Sequence, residues 1–467
     1  MESHTSSDLN EKIKNKFFEL SSSSTSHGYP NIFRTKFWAV RIMWLIFFLI
    51  SLGLCTFMIY RSINDFLSND VVNKIRDYSE IPMVYPAITF CNINPLINNN
   101  SDALISEFLP DWFVIDYLSE KYNFSSTPKS ENITATYKSL VMAKKQALNK
   151  AMDPSYGDEN RKKLWYPLNE ILVNCVYNGV RCNESDFTWF YMYDFGNCYQ
   201  FNTGTDKKGS QAALKNIFMP GEKNGLYLEV YAGEGESIYS LLPDSGIVVF
   251  VHNQSLSPLP SEGIKLAQRT LTNIVLSKVI AQREPYPYSD CQKLDTFSFD
   301  KILHNAILKS NSSYKQKLCF DLCLQQIVIK QCGCYDLKYL QLLDAPPCLT
   351  LADISCTENE YLKFVSSDIK SICQRYCPLE CDAQYFNFLM SSSTFPSLNY
   401  ANILGVNSAI LSHSDGLTID SLPDNVLAFS VYFQNLAYTS ISESVKTSLF
   451  DVTANIGMDI LVICSHF

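Results

Sequence analysis

The sequence predicts an α+β membrane protein in which one transmembrane helix near the N-terminus carries a large, disulfide-rich extracellular domain. Three observations carry that prediction. Nineteen residues without a charge run from Ile42 to Tyr60, fourteen of the 16 cysteines fall between Cys91 and Cys381, and all six Asn-x-Ser/Thr sequons follow the apolar run.

The apolar run reads IMWLIFFLISLGLCTFMIY and is flanked by Arg41 and Arg61. At about 1.5 Å per residue it crosses a hydrocarbon core of about 30 Å. A buried helix of a soluble protein would show a polar stripe, and this run has none. A cleaved signal sequence is shorter and starts nearer the N-terminus, so the run is read as a retained anchor in the lipid bilayer. Arg34, Lys36 and Arg41 precede it, whereas Arg61 is followed by Asp65 and Asp70. That bias places the N-terminus in the cytoplasm. Residues 1–40 are then the cytoplasmic N-terminus, 41–61 the span and 62–447 the extracellular domain, at the plasma membrane.

Cysteine chemistry agrees with that placement. An even number of cysteines in one segment pairs as disulfides in an oxidising compartment, whereas a metal site needs CxxC knuckles or Cys/His ligand spacing. The chain has no CxxC, and only His252 and His304 lie among the clustered cysteines. No metal or cofactor is expected. The sequons at Asn99, Asn123, Asn132, Asn183, Asn253 and Asn311 mark expected glycosylation sites on the outer side. A net charge of −9 without basic blocks excludes nucleic acid as a partner. No HExxH, GxSxG, P-loop or Rossmann glycine pattern occurs, so an enzyme is not expected.

Within the outer domain, EFLPDWFVIDYLSEKY and YKSLVMAKKQALNKAM have helical patterning. GLYLEVYAG, GIVVFVH and NVLAFSVYFQNLAYTSI read as strands, rich in β-branched and aromatic residues. Cys319 and Cys323 are four residues apart and share one helix face, as do Cys373 and Cys377, with Pro378 ending the second helix. Two antiparallel helices would bring Cys319 to Cys377 and Cys323 to Cys373. Cys332–Cys356 and Cys334–Cys348 would nest inside that ladder. Sequence alone leaves other connectivities open.

Several motifs in a fixed order then point to a family. His27-Gly28 stands just before the span, and YPAITFCNINP follows it at residues 85–95. GLYLEVYAGEGE and GIVVFVHNQSLSPLPSEGI precede CFDLCLQQIVIKQCGCYDLKYL and CPLECDAQYFNFLMSSSTFPS. Together they resemble the degenerin/epithelial sodium channel family, over roughly residues 27–457, and its acid-sensing and peptide-gated members in particular. The resemblance implies three further bridges: Cys91–Cys198, Cys175–Cys182 and Cys291–Cys381. It also implies a β palm and ball with a helical finger and thumb. Subunits would form a homo- or hetero-trimer that conducts sodium ions and is blocked by amiloride. His27, Gly28 and Tyr288 would take part in gating, as would Ala454 at the small-residue position near the gate.

SLFDVTANIG, residues 448–457, matches the family's approach to a second, pore-lining span, after which the chain reads MDILVICSHF. Residues 448–467 are therefore read as the truncated start of that span, and no amiloride-sensitive current is expected from this chain alone. Two other readings stay open: a non-conducting subunit that regulates full-length partners, and a type II single-pass receptor or adhesion protein. For the gating ligand, a proton, a peptide or constitutive opening are all compatible. Glu234, Glu236 and Asp244 could form a carboxylate cluster that titrates near pH ~6, against the blander reading of a solvated loop.

Overall fold

The computed structural model describes residues 3–23, 29–96, 98–109, 130–205, 210–233, 244–254, 258–293, 301–309, 314–339, 341, 344–366, 369–411 and 418–462. The chain divides into two compact units. One comprises Met1–Lys74, Arg283–Asp290 and Ser442–Phe467; the other comprises Ile75–Gln282 and Cys291–Ile441.

In chain order the helices are α1 (Ser3–Ser23), α2 (Tyr29–Arg34), α3 (Trp38–Leu67), α4 (Asn99–Ser106), α5 (Ser130–Met152), α6 (Asp158–Lys162) and α7 (Leu168–Ile171). There follow α8 (Lys301–Lys309), α9 (Gln316–Cys332), α10 (Leu351–Ser366), α11 (Ile369–Tyr376), α12 (Leu398–Leu404), α13 (Ser408–Leu411) and α14 (Leu449–Val462).

The larger unit is built on two sheets. One has the order β13 (Asp382–Thr394), β12 (Thr270–Gln282), β14 (Val426–Val445), β9 (Leu226–Tyr231), β4 (Leu172–Tyr177), β5 (Val180–Arg181), with β1 (Val71–Ser79) also pairing with β14. The other runs β11 (Ile264–Leu266), β10 (Ile247–His252), β3 (Ala87–Asn92), β7 (Gly196–Phe201), β6 (Phe187–Met192). A two-residue pair, β2 (Met83–Val84) with β8 (Asn216–Ile217), completes the strands among the described residues.

Strand alternation explains the core. Ile88 and Phe90 of β3 join Leu226, Leu228 and Val230 of β9 and Phe429 and Val431 of β14 in one buried cluster. Cys91, the residue after Phe90, points to the other face and bonds Cys198, its direct cross-strand partner. Tyr85 is wholly buried at the centre of the larger cluster. Its hydroxyl donates to the Val431 carbonyl at 2.8 Å and accepts from the Leu226 N–H at 3.3 Å. A buried phenol keeps company with such partners because an unpaired hydroxyl there costs about 1–3 kcal/mol.

Gly246 enters β10 at φ +127, and an added Cβ would collide with the Leu266 carbonyl oxygen. Only glycine meets both demands at that position.

Three helices, rather than a two-helix hairpin, form the disulfide-stapled region. Cys319–Cys377 and Cys323–Cys373 tie α9 to α11 and its exit, Cys332–Cys356 ties α9 to α10, and Cys334–Cys348 closes the connection. The additional helix, α10, begins at a local cap. Asp353 accepts from the N–H groups of Leu349 and Thr350 at 3.1 and 2.9 Å, while Thr350 Oγ1 accepts from the Asp353 N–H. Gly333, at φ +75, ends α9 by donating to the Ile329 carbonyl. The remaining bridges are Cys175–Cys182 across β4 and β5, and Cys291–Cys381. A separate helical core joins Leu104 and Ile105 of α4 to Leu140, Ala143, Ala147 and Ala151 of α5.

Candidate functional site

The smaller unit carries the chain's one described helix that is long and apolar enough to cross a membrane. That helix, α3, has 30 residues, longer at both ends than the uncharged stretch between Arg41 and Arg61. Its large apolar side chains are exposed, whereas its buried residues are Ser51, Cys55 and Ser62. Small residues facing protein and large apolar ones facing outward is the pattern of a helix in lipid.

Helix α14 packs beside α3. Ser448 and Asp451 cap its start reciprocally: the Ser448 N–H donates to Asp451 Oδ2 at 2.9 Å, and the Asp451 N–H donates to Ser448 Oγ at 3.2 Å.

Directly before that cap, the end of β14 is fastened to the exit of α3. Lys446 Nζ donates to Asp70 Oδ2 at 2.8 Å, and the Lys446 N–H donates to the Asp70 carbonyl at 3.0 Å. The ammonium holds the Asp70 carboxyl below its usual range, and the carboxylate raises Lys446 in return. The 283–290 segment docks alongside, where the Glu284 N–H donates to Glu443 Oε2 at 3.1 Å. Ser289 Oγ donates to the Glu284 carbonyl at 2.6 Å, closing the turn that holds half-buried Tyr288.

Of the residues singled out for gating, Tyr288 therefore lies in a turn docked on β14, and Ala454 is exposed on α14. His27 and Gly28 lie outside the described residues. Asp70, Glu443 and Lys446 were not singled out for gating by sequence, although Asp70 entered the topology reading as an acidic flank.

Of the three carboxylates weighed as a cluster or a solvated loop, only Asp244 is among the described residues. Glu234 and Glu236 lie outside the described residues, and Asp244 pairs with Lys265. Another acidic site appears in the larger unit, at a cavity of about 540 Å³ lined by Tyr191, Tyr193, Asp194, Asp321, Lys338 and Tyr339 among others. Burial pushes Asp321 up to about 6, with Lys317 and Lys338 pulling it down and Asp194 adding to the rise. Asp194 pairs with Lys338 at 3.4 Å. Nothing in the local sequence around Asp321 signals this, because its burial comes from residues far along the chain.

Among the sequons, Asn99 and Asn183 are exposed and Asn253 is half-buried. Asn183 Oδ1 accepts from the N–H and hydroxyl of Ser185 at 2.8 and 2.6 Å. Asn132 falls on α5, while Asn123 and Asn311 lie outside the described residues. Among the described residues no group of His, Cys, Asp and Glu is arranged to hold a metal ion.

The smaller unit holds one apolar, span-length helix with a capped second helix packed beside it, and the larger unit is stapled by seven described disulfides, a combination that fits a membrane-anchored chain of channel type. The chain belongs to the amiloride-sensitive sodium channel family, whose sequence model matches residues 20–458; these are ion channels of the plasma membrane, not enzymes. It is 27% identical over 338 residues to an epithelial sodium channel beta subunit of Neoceratodus forsteri, covering 72% of this chain and 49% of the relative. It is 25% identical over 332 residues to an FMRFamide-activated amiloride-sensitive sodium channel of Cornu aspersum, covering 68% and 47%. A gamma subunit of Xenopus laevis is 28% identical over 310 residues, covering 64% and 44%. The chain thus spans about half the length of the curated relatives it matches. The cryo-EM structure of a proton-activated chloride channel overlaps 90% of this chain at a TM-score of 0.33 and 7% identity, too weak a likeness to bear on fold or function.

Proposed function

We propose that this protein is a subunit of an oligomeric, amiloride-sensitive channel that conducts sodium ions. Its N-terminus is cytoplasmic and its disulfide-stapled unit is extracellular. The observation that carries the reading is the fastening of Asp70 to Lys446, in a chain that follows the family from residue 20 to 458. Two helices held at one clip move together, so a displacement of β1 or β14 reaches both. The cationic flank of Arg34, Lys36 and Arg41 favours the cytoplasm for the N-terminus. Exposed Asn99 and Asn183 suit glycosylation outside the cell.

In this reading three subunits surround the pore. His27 and Gly28 act at its inner side, the Tyr288 turn takes part in gating, and Ala454 lies near the gate. The cavity beside Asp321 is the place for an extracellular ligand. The FMRFamide-activated relative favours a peptide, and the raised Asp321 favours a proton that modulates its binding.

The test is voltage clamp on cells expressing the protein from its own transcript together with a family subunit. The expected result is an inward current, blocked by amiloride, that exceeds the current of the partner alone. No change in current, combined with failure of the two to co-purify, would reject the proposal.

A further inference from the structure

We propose that α1 lies in the plane of an anionic membrane surface, with Ile13, Phe17 and Leu20 in the acyl boundary and Lys12, Lys14 and Lys16 among the headgroups. The inference rests on the reading of α3 as a membrane span. At 3.6 residues per turn, Ile13, Phe17 and Leu20 fall within an arc of about 60°. All three are exposed, at 58%, 58% and 70%. Lys12 and Lys16 flank that stripe on one side and Lys14 flanks it on the other. Glu11, Asn15 and Glu19 occupy the opposite half. An apolar stripe bordered by lysines, with acidic residues turned away, is the design of an interfacial helix.

The position of α1 makes a lipid surface its partner rather than another protein. Phe17 and Phe18 both meet Phe33 of α2 edge-on, with ring centroids 6.2 and 6.0 Å apart. Phe33 meets Tyr29 at 5.2 Å, and Tyr29 meets Phe48 of α3 at 5.6 Å. Phe48 is seven residues inside the apolar stretch from Arg41, or about 10 Å along the helix. Arg34 Nε donates to the Ser22 carbonyl at 2.8 Å, and Ser21 Oγ lies 3.2 Å from the Tyr29 hydroxyl. This chain of contacts holds α1 beside the cationic end of the span. The contacts run from α1 through α2 to α3 and leave Ile13, Phe17 and Leu20 exposed. Arg34, Lys36 and Arg41 add to the same positive field, which an anionic leaflet complements.

Spin labels on the full chain reconstituted in vesicles test this. Labels are placed at Ile13→Cys and Leu20→Cys on the stripe, at Asn15→Cys and Ser22→Cys away from it, and at Leu49→Cys and Leu52→Cys on α3. The expected result is several-fold lower collision with a water-soluble nickel chelate at 13 and 20 than at 15 and 22, with high collision with oxygen at 13 and 20. Phosphatidylserine added to phosphatidylcholine should widen that contrast, and the combined Lys12→Gln, Lys14→Gln, Lys16→Gln variant should remove the widening.

Equal nickel access on both faces would overturn the proposal, and so would shielding of 13 and 20 from oxygen and nickel alike. A contrast unaffected by phosphatidylserine would overturn the anionic assignment. Should 49 and 52 lack oxygen contact, the span itself fails; should only the α1 positions fail, the span stands and α1 is misassigned.

Discussion

Lys446 reaches Asp70 twice, through its ammonium to the carboxylate at 2.8 Å and through its backbone N–H to the carbonyl at 3.0 Å. The contact joins the residues that leave α3 to those that approach α14, 376 positions apart in sequence. A main-chain bond fixes the register of β1 against β14, and the ion pair adds charge to it.

The first prediction concerns that clip. Asp70 has a depressed pKa in the folded protein, so its contribution is present above its unfolded value and is lost only as pH falls through the lower folded one. Lys446 is raised, so its contribution is present below its unfolded value and is lost as pH rises through the folded one. The pair therefore persists across the neutral and mildly acid range. Both groups are solvent-exposed, so salt weakens the pair. Lys446→Glu should speed hydrogen exchange in residues 70–72 and 444–446, and the swap Asp70→Lys with Lys446→Glu should slow it again. Exchange unchanged by Lys446→Glu would show that the backbone bond alone holds the strands.

Asp321 should set a pH dependence of opposite sign. Its pKa is pushed up to about 6, so the folded state holds a proton that the unfolded state has released. Stability must fall as pH rises between about 4 and 6, by roughly 2 kcal/mol once partial solvent screening is allowed for. Asp321→Asn should raise the thermal midpoint of the solubilised protein at neutral pH and flatten its pH profile across that window. A midpoint that drops at neutral pH would mean the carboxylate makes a favourable contact.

Glu229 is a buried acceptor for two tyrosines. The hydroxyls of Tyr227 and Tyr400 each donate to its Oε1 at 2.8 Å. Burial first, and then the nearby Glu229, push Tyr400 up to about 12. Glu229→Leu strands both hydroxyls and should cost roughly 1–3 kcal/mol in a denaturant titration, whereas Glu229→Gln keeps an acceptor and should cost less. Equal losses for the two variants would argue that the charge matters more than the hydrogen bonds.

The bridge from Cys91 to Cys198 closes 107 residues between adjacent strands. Chain-entropy arguments assign about 4–5 kcal/mol to a loop of that size. The double variant Cys91→Ala, Cys198→Ala should fail to acquire mature glycans, read as persistent endoglycosidase sensitivity. Normal maturation would mean that strand pairing suffices without the bond.

Local chemistry made much of this fold legible. The span could be read because its uncharged length matches a bilayer, and β9, β10 and β14 because β-branched and aromatic residues cluster in them. YKSLVMAKKQALNKAM lies within α5. The stretch EFLPDWFVIDYLSEKY falls mostly outside the described residues.

What stayed hidden depends on distance along the chain. β12 pairs with β13 from Thr270–Thr394 to Gln282–Asp382, a register no local pattern encodes. The outer half of β13 is exposed on both faces, so it lacks the alternation that marks a half-buried strand. The Tyr400–Glu229 contact spans 171 residues, and the Asp321 cavity is assembled from at least six separate segments. The start of α10 was signalled by Thr350 and Asp353, a capping pair whose value was visible only beside its helix.

Sodium selectivity is the property on which the functional reading turns. The most direct measurement is the reversal potential of the amiloride-blocked current as external sodium is replaced by a large organic cation, with the protein and a family subunit co-expressed. Reversal that tracks the sodium gradient, in a current altered by Ala454→Cys and a thiol reagent, is the expected result. Reversal indifferent to sodium, or a current that Ala454→Cys and the reagent leave untouched, would contradict a sodium-conducting role for this chain.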